Sequence, residues 1–105
     1  MSNYLRDEVL YLMLRRLTGE GSLRDRLAGV ANYMAPRVLG KFDDDPILKE
    51  QMLDIYNRLS YVEAGPGDDG KIDATVKRLT DQEACSIADD IVSLVFSELR
   101  RIEGE

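Results

Sequence analysis

Apolar residues recur at helical spacing along almost the whole chain, and this periodicity constrains the fold more than any other feature. Side chains three and four positions apart share one face of an α-helix, whereas a half-buried strand requires strict alternation of apolar and polar residues. Leu10, Met13, Leu14 and Leu17 follow the helical spacing, and the chain contains no alternating run of useful length. The pattern predicts an all-α protein.

Capping and turn residues divide this pattern into helical segments. The first segment is predicted to begin just after Ser2 or Asn3 and to run to about Leu17, before a segment with two glycines. Ser22 is predicted to cap the second segment, since a serine side chain can accept a hydrogen bond from the first turn. Pro36 is expected to end or kink this second helix, because proline lacks the N–H that a helix interior needs.

The clearest start is at Asp45 and Pro46, which satisfy the preferences for the N-cap and for the first helical position. The apolar face of this third helix is expected to run from Leu48 to Val62. It should end before the loop at residues 65–70, which contains three glycines and a proline. A short helix should follow this loop.

Thr80 and Glu83 have the spacing of a capping box, which predicts the start of the last helix. The chain is therefore expected to form a compact bundle of four to five helices with short connections. At 105 residues it has room for one domain, which would span residues 1–105. The first and last helices carry the widest apolar faces, and we expect them to pack against each other or to support an oligomer.

The charge distribution restricts the classes of partner. Residues 1–52 hold eight acidic and eight basic residues, whereas residues 53–105 hold twelve acidic and six basic residues. An acidic half disfavours nucleic acid as a partner, because binding to the phosphate backbone depends on lysine and arginine. No apolar stretch approaches the 20 or so residues that cross a bilayer, so no membrane association is expected. A single cysteine fits a reducing cytoplasm.

Several catalytic arrangements are excluded by composition. The chain contains no histidine, so neither a Cys–His nor a Ser–His pair can form. Cys85 neighbours two alanines at helical positions and is interpreted as a small packing residue. No glycine-rich phosphate loop follows a predicted strand. The sequence therefore predicts no catalytic residue, no bound cofactor and no metal.

The segment from Asp68 to Asp73 resembles the second half of an EF-hand calcium loop, with an acid, a glycine, an isoleucine and a further acid. When Gly70 is placed at the sixth loop position, Gly65 falls at the first ligand position and Val76 at the twelfth. The principal carboxylate ligands are thus missing. The segment is interpreted as an acidic turn in which Asp73 caps the following helix. Likewise, the acidic run at residues 43–45 is interpreted as a helix cap.

Four acidic side chains of the last helix form the candidate partner-binding surface: Asp81, Glu83, Asp89 and Asp90. The leading functional hypothesis is a non-enzymatic interaction or regulatory module that is homodimeric or serves as an inhibitor or immunity-type partner of a basic protein. Two alternatives remain open from the sequence. One is a metal protein or enzyme that relies on carboxylates alone, and the other is a DNA-binding regulator with a helix-turn-helix pair within residues 22–61.

Overall fold

The computed structural model describes the backbone of residues 3–103 and the side chains of residues 5–100. Within this range the protein is all-α, with no strand, and it folds into a compact globule as predicted. The described residues form six α-helices, of which one is very short: α1 (Asn3–Leu17), α2 (Leu23–Met34), α3 (Pro36–Leu39), α4 (Pro46–Arg58), α5 (Gly70–Arg78) and α6 (Asp81–Glu103). Ser2, a proposed cap of α1, lies outside the described residues.

Two of the predicted helix starts have the expected hydrogen bonds. The Asp25 backbone N–H donates to the Ser22 hydroxyl at 3.1 Å, and the Ser22 N–H donates to the Asp25 carboxylate at 3.3 Å. At the start of α4, the Asp45 carboxylate accepts from the Leu48 N–H at 3.4 Å, and Pro46 occupies the first turn. These side chains satisfy N–H groups that have no partner within the helix.

The connection between α2 and α4 is more ordered than the sequence indicates. Pro36 does not only end α2, because it also begins α3, where its fixed φ angle suits a first helical turn. A short 3₁₀ helix, Gly40–Phe42, follows directly. Phe42 has no exposed surface and is the largest fully buried side chain among those the structure describes, so this connection contributes to the core.

Two predictions about the following segment were wrong. Helix α4 ends at Arg58, so Val62 lies in the connection beyond it rather than on its apolar face. Asp73 does not cap α5, because Asp69 occupies the N-cap position and Asp73 lies within the first turn. Gly70 begins the helix with a φ of +90°, a left-handed conformation that favours glycine. The N-cap therefore lies four residues earlier than predicted, at Asp69 rather than Asp73.

Helix α2 is the centre of the bundle. Within the described chain it packs against each of the other α-helices, and Leu27, Val30, Ala31 and Met34 of α2 are fully buried. Helices α1 and α6 also pack against each other, as predicted, and α4 packs against α6. The buried apolar residues form one continuous cluster, so these helices share a single core.

Helix α6 is only partly covered by its neighbours. Its inner face, which includes Ile87 and Ile91, is buried, but Phe96 and Leu99 in its C-terminal half are exposed. Cys85 is also exposed, so its interpretation as a packing residue was wrong. Periodicity places Cys85 one position from the buried Ala84, on the side of α6 that faces solvent. No described helix is long and apolar enough to span a bilayer.

Candidate functional site

Helices α4 and α6 lie side by side and antiparallel, and a groove runs along the line between them. It consists of two adjoining depressions of about 540 and 480 Å³ that meet at Asp54 and Arg58. We call this feature the α4–α6 groove. Its lining residues are Glu50, Gln51, Asp54, Ile55, Asn57, Arg58, Tyr61, Leu79, Thr80, Gln82, Glu83, Ser86, Ile87, Asp90, Ser93, Leu94 and Ser97.

The groove has an apolar floor and an exposed apolar side chain near each end. Ile87 and Leu94 of α6 contribute to the floor and are almost completely buried beneath the polar edges. Tyr61 is 65% exposed at one end. Ile47 is 73% exposed and lies one helical turn before Gln51, on the same side of α4. A partner that covered Tyr61 and Ile47 would remove their apolar surface from water, which favours binding.

Arg58 joins the two walls across the middle of the groove. Its guanidinium lies 2.6 Å from the Asp90 carboxylate on α6 and 3.7 Å from the Asp54 carboxylate on α4. All three side chains are in contact with solvent, so each ion pair stabilises the fold by about 0.2–1 kcal/mol at most. The contact links the two walls of the groove but contributes little to the stability of the fold.

The four predicted acidic residues do not form one surface. Asp81 lies 2.9 Å from the Arg24 guanidinium of α2, and it does not line the groove. Asp89 faces solvent and makes no ion pair within the described part of the chain. Glu83 and Asp90 line the groove, in its first and second depression respectively. Only half of the predicted surface is therefore brought together.

Glu83 completes the predicted capping box of α6. Its carboxylate accepts a hydrogen bond from the Thr80 backbone N–H at 2.9 Å, and its own N–H donates to the Thr80 hydroxyl at 3.1 Å. The hydrogen bond from the backbone of Thr80 lowers the pKa of Glu83. Glu83 is consequently a fixed negative charge at the edge of the groove at neutral pH.

The opposite wall supplies two acidic residues that the sequence analysis missed. Glu50 and Asp54 lie on α4, four positions apart and on the same side as Arg58. Their spacing from Arg58 was a signal of a shared polar face, although it did not show which helix that face would meet. With Glu83 and Asp90, they give the groove four carboxylates against one guanidinium among its lining residues. The two walls therefore form an acidic edge around the groove, which attracts positively charged groups.

The acidic turn that resembles an EF-hand loop is held by a cation from the protein itself. The Lys77 ammonium lies 2.8 Å from the Asp73 carboxylate, 3.4 Å from the Asp68 carboxylate and 3.1 Å from the Gly67 carbonyl oxygen. Asp68 also accepts from the Gly65 N–H at 2.9 Å. Among the described residues, no three acidic or cysteine side chains converge as a metal site would require. The turn is thus a structural clamp between residues 65–69 and α5.

Acid is expected to destabilise the protein through this clamp. The hydrogen bond from Gly65 lowers the pKa of Asp68, and the ammonium of Lys77 lowers the pKa of Asp73. A carboxylate whose pKa is lower in the folded state stabilises the fold above its unfolded pKa near 4, and this contribution is lost as pH falls through the folded value. Urea unfolding should therefore show a midpoint that decreases from pH 5 to pH 2.5.

Two asparagine variants identify the source of this pH dependence. Asp68→Asn should make the decrease between pH 5 and pH 2.5 smaller than in the wild type, because one titrating group of the clamp is removed. Asp89→Asn should leave the decrease unchanged, since Asp89 makes no ion pair within the described chain. Equal pH profiles for the wild type and Asp68→Asn would contradict the assignment.

Comparison with known proteins offers no relative from which a function could be transferred. No protein-family model matches the chain, no curated protein matches it, and no solved structure matches it. Function is therefore inferred from the groove itself, that is, from its lining residues, their charges and their exposure.

Proposed function

We propose that this protein is a non-enzymatic, regulatory interaction module that binds a positively charged protein through the α4–α6 groove. The observation that carries the proposal is the combination of an acidic edge with an apolar floor. Glu50 and Asp54 on one wall face the same groove as Glu83 and Asp90 on the other wall. A complementary charge steers association and suppresses wrong partners.

The apolar groups of the groove support a protein partner rather than a small molecule. The floor side chains Ile87 and Leu94 expose less than a tenth of their surface, so the floor offers little apolar surface to enclose a small molecule. Pockets for small molecules enclose most of the ligand, whereas protein interfaces combine aromatic anchors with a polar rim. The exposed Tyr61 is an anchor of this kind, since tyrosine is enriched among the residues that dominate binding energy.

The carboxylates of the groove are poorly arranged for acid–base catalysis. Such catalysis by paired carboxylates requires one of them to have a raised pKa, which burial in an apolar pocket provides. Here Asp54 and Asp90 both face the same arginine, and the hydrogen bond from Thr80 lowers the pKa of Glu83. The lowered pKa of Glu83 is the opposite of what an acid catalyst requires, and the ion pairs of Asp54 and Asp90 are contacts that support binding rather than catalysis.

We expect the protein to act in the cytoplasm, with a partner that is neither a nucleic acid nor a membrane. The acidic edge repels phosphate groups, which basic residues would have to neutralise in a nucleic-acid complex. The net charge of −6 also disfavours a second copy of the chain as the occupant of this groove. Cys85 is free and exposed, which is compatible with a reducing compartment.

Charge reversal on one wall tests the proposal. The double variant Glu50→Lys/Asp54→Lys should retain its fold, because both side chains are exposed on α4. In affinity capture from the native cell at low salt, the amount of each partner that this variant retains should be about tenfold lower than the amount that the wild type retains. Quantitative mass spectrometry of the captured proteins measures the change, and 0.5 M salt should reproduce it.

A second double variant provides the matched control. Asp7→Lys/Glu8→Lys changes the net charge by the same amount on α1, which packs against α2 and α6 and contributes no residue to the groove. Capture should be retained by this control. The proposal fails if both double variants lose the same proteins, because net charge would then explain binding. It also fails if neither variant loses any.

A further inference from the structure

We infer that the segment of the partner that occupies the α4–α6 groove is a basic amphipathic α-helix of three to four turns. This inference rests on the proposed function and specifies the form of the partner. The shape of the groove, the position of its apolar groups and the distribution of its charges each support it.

The shape of the groove fits a third helix. Both walls are helices, and their lining residues run in opposite directions, so the two depressions together form one elongated channel. The residues of α4 span about 20 Å at a rise of 1.5 Å per residue, which is the length of a helix of 12–14 residues. Helices pack by placing the side-chain ridges of one into the groove of another. A partner helix would thus complete a three-helix layer with α4 and α6.

An extended segment has no comparable site. A bound strand gains most of its affinity from main-chain hydrogen bonds to the exposed edge of a sheet. The described residues form no sheet, and the N–H and C=O groups along α4 and α6 are bonded within those helices. An extended partner would have to leave its own backbone groups without protein partners on this surface. A helix satisfies them internally.

The apolar groups lie in a line that matches one face of a helix. Tyr61 lines one end of the groove, Ile87 and Leu94 lie in its floor, and the exposed Ile47 lies on α4 one turn before Gln51, beyond the other end. A partner helix with apolar residues at positions i, i+3, i+4 and i+7 could contact these groups in turn. A segment whose apolar residues are not on one face could reach only part of the line.

The charges predict where the basic residues of the partner lie. Glu50 is on one wall and Glu83 is on the other, so basic side chains are expected on both flanks of the apolar stripe. The middle of the groove differs, because Arg58 occupies it between Asp54 and Asp90. A lysine or arginine directly over Arg58 would be repelled. The partner helix is therefore expected to be basic toward its ends and apolar or uncharged at its centre.

Synthetic peptides of 14 residues test the inference on the ¹⁵N-labelled full chain. The first has leucine on one helical face and lysine on both flanks, with uncharged residues at its centre. Its backbone-amide shift changes should be confined to α4, Tyr61 and residues 79–97, the segments that line the groove, and its circular dichroism should become helical on binding. Glu50→Lys/Asp54→Lys should weaken this binding about tenfold, and Asp7→Lys/Glu8→Lys by less than about twofold.

Three control peptides separate the requirements. A peptide with proline at its centre should bind roughly a hundredfold more weakly, because proline disrupts a helix. A sequence-scrambled peptide of the same composition, and a peptide with glutamate in place of lysine, should both bind at least tenfold more weakly. Equal affinity of the helical and proline peptides, no binding of the helical peptide, or shift changes spread over the whole surface would overturn the inference.

The outcome also separates this inference from the proposed function. If groove-dependent capture of cellular proteins persists while the helical peptide does not bind, then the partner is a protein but does not present a helix of this kind. If neither capture nor peptide binding depends on the groove variants, then both proposals fail.

Discussion

Replacing Phe42 with alanine is expected to lower the free energy of unfolding by about 3–5 kcal/mol. Phe42 belongs to the 3₁₀ helix between α3 and α4, yet its side chain is completely buried. The loss combines the transfer energy of the ring with the cavity that remains, because neighbouring helices cannot close around it fully. Urea unfolding followed by circular dichroism at 222 nm measures the change.

Ile47→Ala is the matched control for Phe42→Ala. Ile47 lies only five positions further along the chain but is 73% exposed, so its loss should change the stability by no more than about 0.5 kcal/mol. If the alanine variant of Phe42 is too unstable to measure, Phe42→Leu leaves a smaller cavity and should show a smaller loss of the same sign. Equal small effects at both positions would mean that this connection does not belong to the core.

Thr75→Val is expected to lower the free energy of unfolding by about 1–3 kcal/mol, although the two side chains have almost the same shape. Thr75 is fully buried in α5. Its hydroxyl accepts from the Val62 N–H at 3.0 Å and donates to the Lys71 carbonyl oxygen at 2.8 Å. Valine would leave the partly buried Val62 N–H without this acceptor, and an N–H that loses its partner away from water is destabilising.

Thr75→Ser distinguishes the contribution of the Thr75 hydroxyl to stability from that of its methyl group. Serine retains the hydrogen bond and loses only the methyl group. This should lower the free energy of unfolding by about 0.8 kcal/mol, with a small further loss from the cavity that remains. Hydrogen exchange of the Val62 amide gives a second measurement: it should become faster in Thr75→Val and stay slow in Thr75→Ser. Unchanged protection of Val62 in both variants would show that the hydroxyl does not hold residues 59–69 against α5.

The helix starts could be predicted because their chemistry is local. The carboxylate and hydroxyl groups at Ser22, Asp45 and Thr80 bond to N–H groups only three residues further along the chain. Each pattern is therefore visible in a window of four residues. The error at Asp73 has a local cause of another kind, because Gly70 can begin a helix with a positive φ angle and so moves the N-cap to Asp69.

The sequence predicted which side chains are exposed less well than it predicted which residues are helical. Periodicity identified the apolar face of α6, but it could not show how far the neighbouring helices extend along that face. Helix α6 has 23 residues, whereas α4 has 13 and α2 has 12. Phe96 and Leu99, in the C-terminal half of α6, remain exposed. Cys85 is exposed for a different reason, because it lies one position after the buried Ala84 and so faces away from the buried stripe of α6.

The acidic residues of the last helix show how far the candidate site could be predicted from the sequence. The sequence placed Asp81, Glu83, Asp89 and Asp90 together because they are close along one helix. Consecutive helical residues differ by about 100° in direction, so Asp89 and Asp90 face different surroundings. Asp90 forms an ion pair with Arg58 of α4, whereas Asp81 forms one with Arg24 of α2.

The sequence by itself determined the all-α class and the helix starts at Ser22, Asp45 and Thr80, because spacing and caps depend on neighbours within one or two turns. Only the tertiary structure decided that α2 lies at the centre and that Phe42 is part of the core. It also decided that Glu50 and Asp54 share a groove with Glu83 and Asp90. These groups are some 30 to 40 positions apart, and their proximity depends on how whole helical faces pack.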